Sequence, residues 1–157
     1  MIVDDNTMLK IMPHKGKMLL LSRVVDYDIE GRTLLSEFDI GESSIFFDPG
    51  LNGVPGYVCF EFMAQAISAL SGLTGLILNK PVIMGFILSV SSLEINIPVY
   101  KSGETVSVDV KEEQRVDTVS TFRCRAMVGE REAAAARLMV MDVDNPNEFI
   151  KKESNER

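Results

Sequence analysis

The chain holds one histidine, His14, set between Pro13 and the lysines Lys15 and Lys17. Imidazole is the side chain best suited to taking and giving protons near neutrality. A lone histidine beside a proline is, however, commonly just part of a solvated loop. A second group stands out in YVCFEFMAQAISALSGLTGLILN (residues 57–79), where Glu61 is the only charged residue. A carboxyl isolated among apolar neighbours is a candidate acid or base, because buried acids are uncommon without a task. Gln65 follows one helical turn later, where its amide would hold that carboxyl in position. Cys59, two residues before Glu61, has no base placed to activate it and reads as a core thiol, as does Cys124. The two cysteines lie far apart, with no CxxC or Cys/His grouping, so neither a zinc site nor a disulfide framework is indicated.

A net charge of −7 disfavours a nucleic-acid partner, because phosphate contacts need a dense Lys/Arg face. Within this acidic chain, residues 6–25 contain no acid and carry Lys10, Lys15, Lys17 and Arg23. This basic island surrounds His14 and would favour an acidic partner. The amino terminus MIVDDNTMLK has Asp4 and Asp5 where a secretory signal would have basic residues, so a cytoplasmic location is expected.

The elements that must carry these groups follow from periodicity. Residues 57–79 are apolar on every side, which predicts a helix enclosed by protein. A membrane span is the rival, disfavoured by Glu61, Gln65, Ser68, Ser71 and Thr74 within the run. At 100° per residue, Glu61, Gln65, Ser68 and Gly72 form one polar seam. Alternation predicts strands near 18–28, 32–40, 104–115 and 119–128, with Val106, Val108 and Val110 set against Ser107, Asp109 and Lys111. SSLEINIPVY (91–100) also alternates, with Pro98 marking an edge or a bend before the KSGE turn. Residues 131–143 are predicted as a strand despite their alanine run, and the polar tail 144–157 as loose. No repeat or linker divides the chain, so one α+β domain over 1–157 is expected, an antiparallel sheet wrapped around one long helix.

Three passages resemble the hotdog-fold 3-hydroxyacyl-acyl carrier protein dehydratases across residues 8–143. MPHKGKMLLLSRVV looks like their amino-terminal Pro-His segment, FDPGLNGVPG like their active-site loop, and EFMAQA like their helix with its catalytic acid. In that family a histidine lies fourteen positions before the helix acid, and here that position is Phe47. Pro49, Gly50, Pro55 and Gly56 stand where the family has them, so no shift of alignment restores the histidine. The sequence is most similar to the subgroup that lacks the central histidine and keeps Pro-His, which includes dehydratase-like proteins of aryl polyene lipid synthesis.

The resemblance implies a hotdog fold and dehydration of 3-hydroxyacyl thioesters in fatty acid or polyene lipid synthesis. It gives Glu61 the carboxyl role and leaves His14 to replace the missing base. It gives the Gly56 amide to the thioester carbonyl, and it makes Lys10, Lys15, Lys17 and Arg23 candidates for contact with an acidic acyl carrier protein. No cofactor is implied, since phosphopantetheine arrives on the substrate. The family works as dimers with base and acid from opposite chains. A second expectation is therefore a half-site subunit paired with a complete hotdog dehydratase, in place of a homodimer. A third is an acyl-thioesterase, in which the same carboxylate activates water.

Overall fold

The structure, a computed structural model, describes residues 3–80 and 84–143. The predicted loose tail lies outside them. A short helix α1 (Asp5–Ile11) opens the chain, capped by the Asp4 side chain, which accepts from the Thr7 amide. Next come a 3-10 turn at Gly16–Met18, strand β1 (Arg23–Asp28) and strand β2 (Thr33–Asp39). A short strand β3 (Gly53–Pro55) and a 3-10 turn at Gly56–Val58 lead into the long helix α2 (Cys59–Ile77). Strands β4 (Met84–Ile95), β5 (Val99–Lys101), β6 (Thr105–Val116), β7 (Val119–Val128) and β8 (Arg131–Val143) complete the described chain.

Six strands form one sheet in the order β1-β2-β6-β7-β8-β4, every pairing antiparallel, and β3 pairs with β5 in a separate ribbon. In the β2–β6 register Leu34, Ser36 and Phe38 stand opposite Val110, Val108 and Val106, all buried, so the predicted valine alternation turns its apolar face to the core. The buried Ser36 hydroxyl donates to the Val108 carbonyl, which removes the cost of burying it. Helix α2 lies against β2, β6, β7 and β4, with Met63, Ala66, Ala69 and Leu70 fully buried. Its first turn is fixed by an aromatic row: Phe62 stacks on Phe38 with centroids 4.6 Å apart and meets Tyr100 of β5 at 5.7 Å.

The stretch Gly56–Ile77 is apolar enough by length and composition to cross a membrane, and here it forms the core helix, with 56% of its most apolar window buried. It is not enclosed on every side. Tyr57, Leu76, Ile77 and Leu78 are exposed, and one flank borders a cavity.

Two boundaries differ from the alternation. The predicted strand 18–28 begins only at Arg23, because Leu20 and Leu21 turn their amides to the Gln65 side chain instead of a neighbouring strand. The strand predicted at 91–100 starts earlier and ends at Ile95. Residues 96–98 bend, and the chain resumes as β5. The bend is where Gly56 presses against the chain: a Cβ on Gly56 would lie 2.1 Å from the Ile97 carbonyl oxygen, so only glycine fits.

Candidate active site

His14 and Glu61 are 47 residues apart in sequence, and two anchors bring them together. The first is α1. Met8, Ile11 and Met12 are buried, and the Ile11 carbonyl rests on Gly72 of α2 so closely that a Cβ there would stand 2.3 Å from its oxygen. The second is Gln65, fully buried, which uses all four of its hydrogen-bonding positions. Its Oε1 accepts from the Leu20 and Leu21 amides at 2.9 and 3.1 Å, and its Nε2 donates to the Met18 carbonyl at 2.9 Å and to Glu61 Oε1 at 3.0 Å. The two backbone amides fix which end of the Gln65 side chain is oxygen. Its NH2 group therefore necessarily points at Met18 and Glu61. Between these anchors, residues 13–17 cross over α2.

His14 Nε2 lies 3.6 Å from Glu61 Oε1, with the two side chains 22% and 31% exposed. That gap exceeds a hydrogen bond, yet a small movement or one intervening water closes it. His14 Nδ1 is buried with no partner among the described residues. For Nε2 to accept a proton, the neutral ring carries its own proton at Nδ1. Both side chains face a cavity of about 520 Å³ whose other walls come from α2 (Phe60, Ala64, Ile67) and from β4 and β8 (Phe86, Ile87, Val140). An apolar enclosure with a few convergent polar groups is the usual form of a small-molecule site.

The polar seam of α2 divides in two. Glu61 and Ser68 line the cavity, while Gln65 and Gly72 are buried beneath the amino-terminal segment. The remaining sequence candidates fall elsewhere. The Gly56 amide donates to the Pro98 carbonyl at 2.8 Å, so the donor implied for a thioester carbonyl is already engaged, and Gly56 does not line the cavity. Phe47 does not line it either. It is half-buried in the 41–52 loop and stands outside the core cluster.

Arg23 leaves the basic island. It bridges Glu37 at 2.9 Å and also Asp39, both on β2, and its hydrogen bond to Asp39, with that from Thr105, holds the Asp39 carboxyl below the usual carboxylate range. Lys10, Lys15 and Lys17 are exposed, although the Lys15 ammonium donates back to the Leu9 carbonyl near the end of α1. The Cys59 and Cys124 thiols are buried and pushed up by desolvation, Cys124 to about 12, which suits neither to nucleophilic work. No group of three His, Cys, Asp or Glu able to hold a metal occurs among the described residues. The cavity walls from β4 and β8 were missed in the sequence, because nothing in those strands marks which face meets the helix.

The ApeP-like family model, described as ApeP dehydratase, matches residues 6–151. This chain belongs to the ApeP-like dehydratase family. Its curated relatives include the 3-hydroxyacyl-[acyl-carrier-protein] dehydratase FabZ of Variovorax paradoxus, 28% identical over 140 residues, covering 87% of this chain and 92% of the relative. Among solved structures, a chain of the dehydratase heterocomplex ApeI:P from Xenorhabdus doucetiae superposes with a TM-score of 0.81 at 19% identity, covering 90% of this chain and 93% of that one. A hypothetical thioesterase with coenzyme A from Streptococcus pneumoniae follows the same course with a TM-score of 0.60 at 10% identity, over 78% of this chain and 85% of that one. The ApeP-like chain thus has the hotdog fold, α+β, with its antiparallel sheet around α2, and a dehydratase-like role in fatty acid or polyene synthesis follows from its family.

Proposed function

We propose that this chain dehydrates 3-hydroxyacyl-acyl carrier protein thioesters with His14 as base and Glu61 as acid. The observation that carries the reading is the 3.6 Å approach of His14 Nε2 to Glu61 Oε1 in the wall of an apolar cavity. The imidazole takes a proton from the carbon beside the thioester carbonyl. The electron pair of that C–H bond forms the new C=C as the C3–O bond breaks, and the Glu61 carboxyl gives its proton to the departing hydroxyl, which leaves as water. A proton returned from imidazolium to carboxylate across the short gap resets the pair. Gln65 holds the carboxyl for this exchange.

The test is turnover of a 3-hydroxyacyl-carrier-protein thioester by the purified chain, followed by loss of mass equal to one water, with H14A and E61A beside wild type. Each variant is expected to lose about 10²–10⁴-fold in rate. Full activity in H14A would overturn the base assignment. Release of free thiol without loss of water would instead identify a thioesterase.

A second reading is favoured by the outer edge of the sheet. Strand β4 is its last strand, and Ile87, Leu88, Val90, Leu93 and Ile95 are all exposed on it. A twelve-residue edge strand with five exposed apolar side chains invites pairing with another chain. With Phe47 in the place of the loop histidine, that partner would be a complete hotdog dehydratase, and the structural neighbour ApeI:P is itself a dehydratase heterocomplex. Co-expression with such a chain separates the two: a stable mixed complex with activity only when both are present favours the half-site subunit, and an active homodimer excludes it.

A further inference from the structure

The six-stranded sheet has a second face, turned away from the core. Val110, Cys124 and Ala136 are buried on the core side, and because side chains alternate along a strand, Lys111, Arg123 and Arg137 point the other way and are exposed. The register sets these three cations opposite one another, Lys111 on β6 against Arg123 on β7, and Arg123 against Arg137 on β8. Neighbouring strands run about 5 Å apart, and like charges placed directly opposite across a sheet are destabilising. In a chain of net charge −7, such a row does not follow from composition.

Arg137 is compensated, since its Nε donates to Glu113 at 3.0 Å. Lys111 and Arg123 have no carboxylate partner among the described residues. Arg125, the next outward residue on β7, stands opposite Asp109 on β6 with no ion pair between them. These groups line a groove of about 480 Å³ together with Thr33 of β2 and Asp26 of β1, so three cations face two carboxylates. None of them lines the cavity of His14 and Glu61.

Two unpaired cations one strand apart suit an anion whose charged centres are a few ångströms apart. A diphosphate reaches both, with the guanidinium taking phosphate oxygens in pairs and the ammonium meeting them as a point charge. Asp109 is half-buried and has no hydrogen-bond partner among the described residues. An ionised carboxylate only accepts, so it repels a bare anion and suits hydroxyl groups carried beside the phosphates. We infer that this groove on the outer face of the sheet binds a nucleoside diphosphate, with Lys111 and Arg123 on the phosphates and Asp109 accepting from the ribose hydroxyls. The site stands apart from the dehydration chemistry proposed above, and its test needs no turnover.

The full chain is titrated calorimetrically with adenosine diphosphate and with inorganic pyrophosphate at equal ionic strength. Wild type should bind the nucleotide at least about threefold more tightly than pyrophosphate, K111Q and R123Q should each weaken the nucleotide about tenfold, and D109N should erase its advantage. R131Q, which removes an exposed arginine outside the groove, should change neither. Without ligand, R123Q should melt no lower than wild type, because it relieves the repulsion in the row, so its weakened binding is not a failure to fold. No binding of the nucleotide, affinity no better than that of pyrophosphate, binding unchanged in both K111Q and R123Q, or an equal loss in R131Q would each overturn the inference.

Discussion

The Nε2 of Gln65 sits 3.0 Å from Glu61 Oε1 while the same side chain holds the Leu20 and Leu21 amides and the Met18 carbonyl. One buried amide therefore fixes the acid and fastens the segment that carries the base over it. Q65A strands two amides and a carbonyl in a closed site, at a cost of about 2–4 kcal/mol. Thermal unfolding should fall by about 5–12 °C. Gln65→Leu, close in volume, should fall as far, because the loss lies in unsatisfied polar groups and not in a cavity. Differential scanning calorimetry of the two variants checks this, and an unchanged Tm in either would mean that water replaces the side chain.

G72A tests the other anchor. An added Cβ would stand 2.3 Å from the Ile11 carbonyl oxygen and 2.7 Å from Ile11 Cβ, so α1 has to move. Overlap of this kind costs about 1–3 kcal/mol, against roughly 1 kcal/mol gained from alanine's helix propensity, and the overlap wins. The variant should remain folded with a modest loss in Tm. Its dehydration rate should drop more than the Tm predicts, since the displaced helix carries His14 away from Glu61. A rate loss no larger than the fall in Tm accounts for would show that the rate does not depend on the Gly72 contact.

The parts of this molecule legible in the sequence are those whose signal is local. The run of apolar residues around Glu61 marked α2, and the alternation of Val106, Val108 and Val110 marked β6, because side-chain period follows backbone geometry. Helix α1 went unread, although Asp4 capping Thr7 and the buried pair Met8 and Ile11 were there to be found. At seven residues it has no stability of its own and exists because it docks on Gly72. Strand β4 hid its start because it is a sheet edge with both faces exposed and register shifts at Ile87/Ser89 and Ser91/Glu94, which erase alternation. The pairing of Arg23 needed the register that sets it opposite Glu37. The approach of His14 to Glu61 was suggested by family resemblance alone, since no periodicity links residues so far apart.

The thiols give a pH dependence with a definite sign. Burial raises Cys124 to about 12 and raises Cys59 as well, with the Cys59 thiol lying beside the Tyr100 hydroxyl. In the unfolded chain a thiol ionises near about 8.5. Above that pH the unfolded state has lost protons that the folded state keeps, so stability is fully present below about 8.5 and declines as pH rises toward 12. Urea midpoints measured from pH 7 to 10 should therefore fall at the alkaline end, and C124A should flatten the decline. In the native protein at pH 8 neither thiol should react with a disulfide reagent on the timescale on which both react in urea. Fast labelling of one thiol under native conditions would show that its helix or strand opens.

The basic island, reduced by the capture of Arg23, leaves Lys10, Lys15 and Lys17 exposed on either side of the segment that carries His14. Of these, Lys10 and Lys17 are the better candidates to meet an acidic carrier protein, since the Lys15 ammonium also closes the end of α1. Charge on the rim of a docking surface acts mainly on the rate of association and fades as salt screens it beyond about 8–10 Å. The double reversal K10E/K17E should slow carrier association about tenfold at 20 mM salt and by much less at 500 mM, with the rate on a pantetheine substrate lacking the carrier unchanged. Stopped-flow association at the two salt concentrations measures this directly. Slowing that persists at high salt would place these lysines in a packed contact instead of a steering field, and no slowing at either concentration would move the carrier's landing place to another face of the chain.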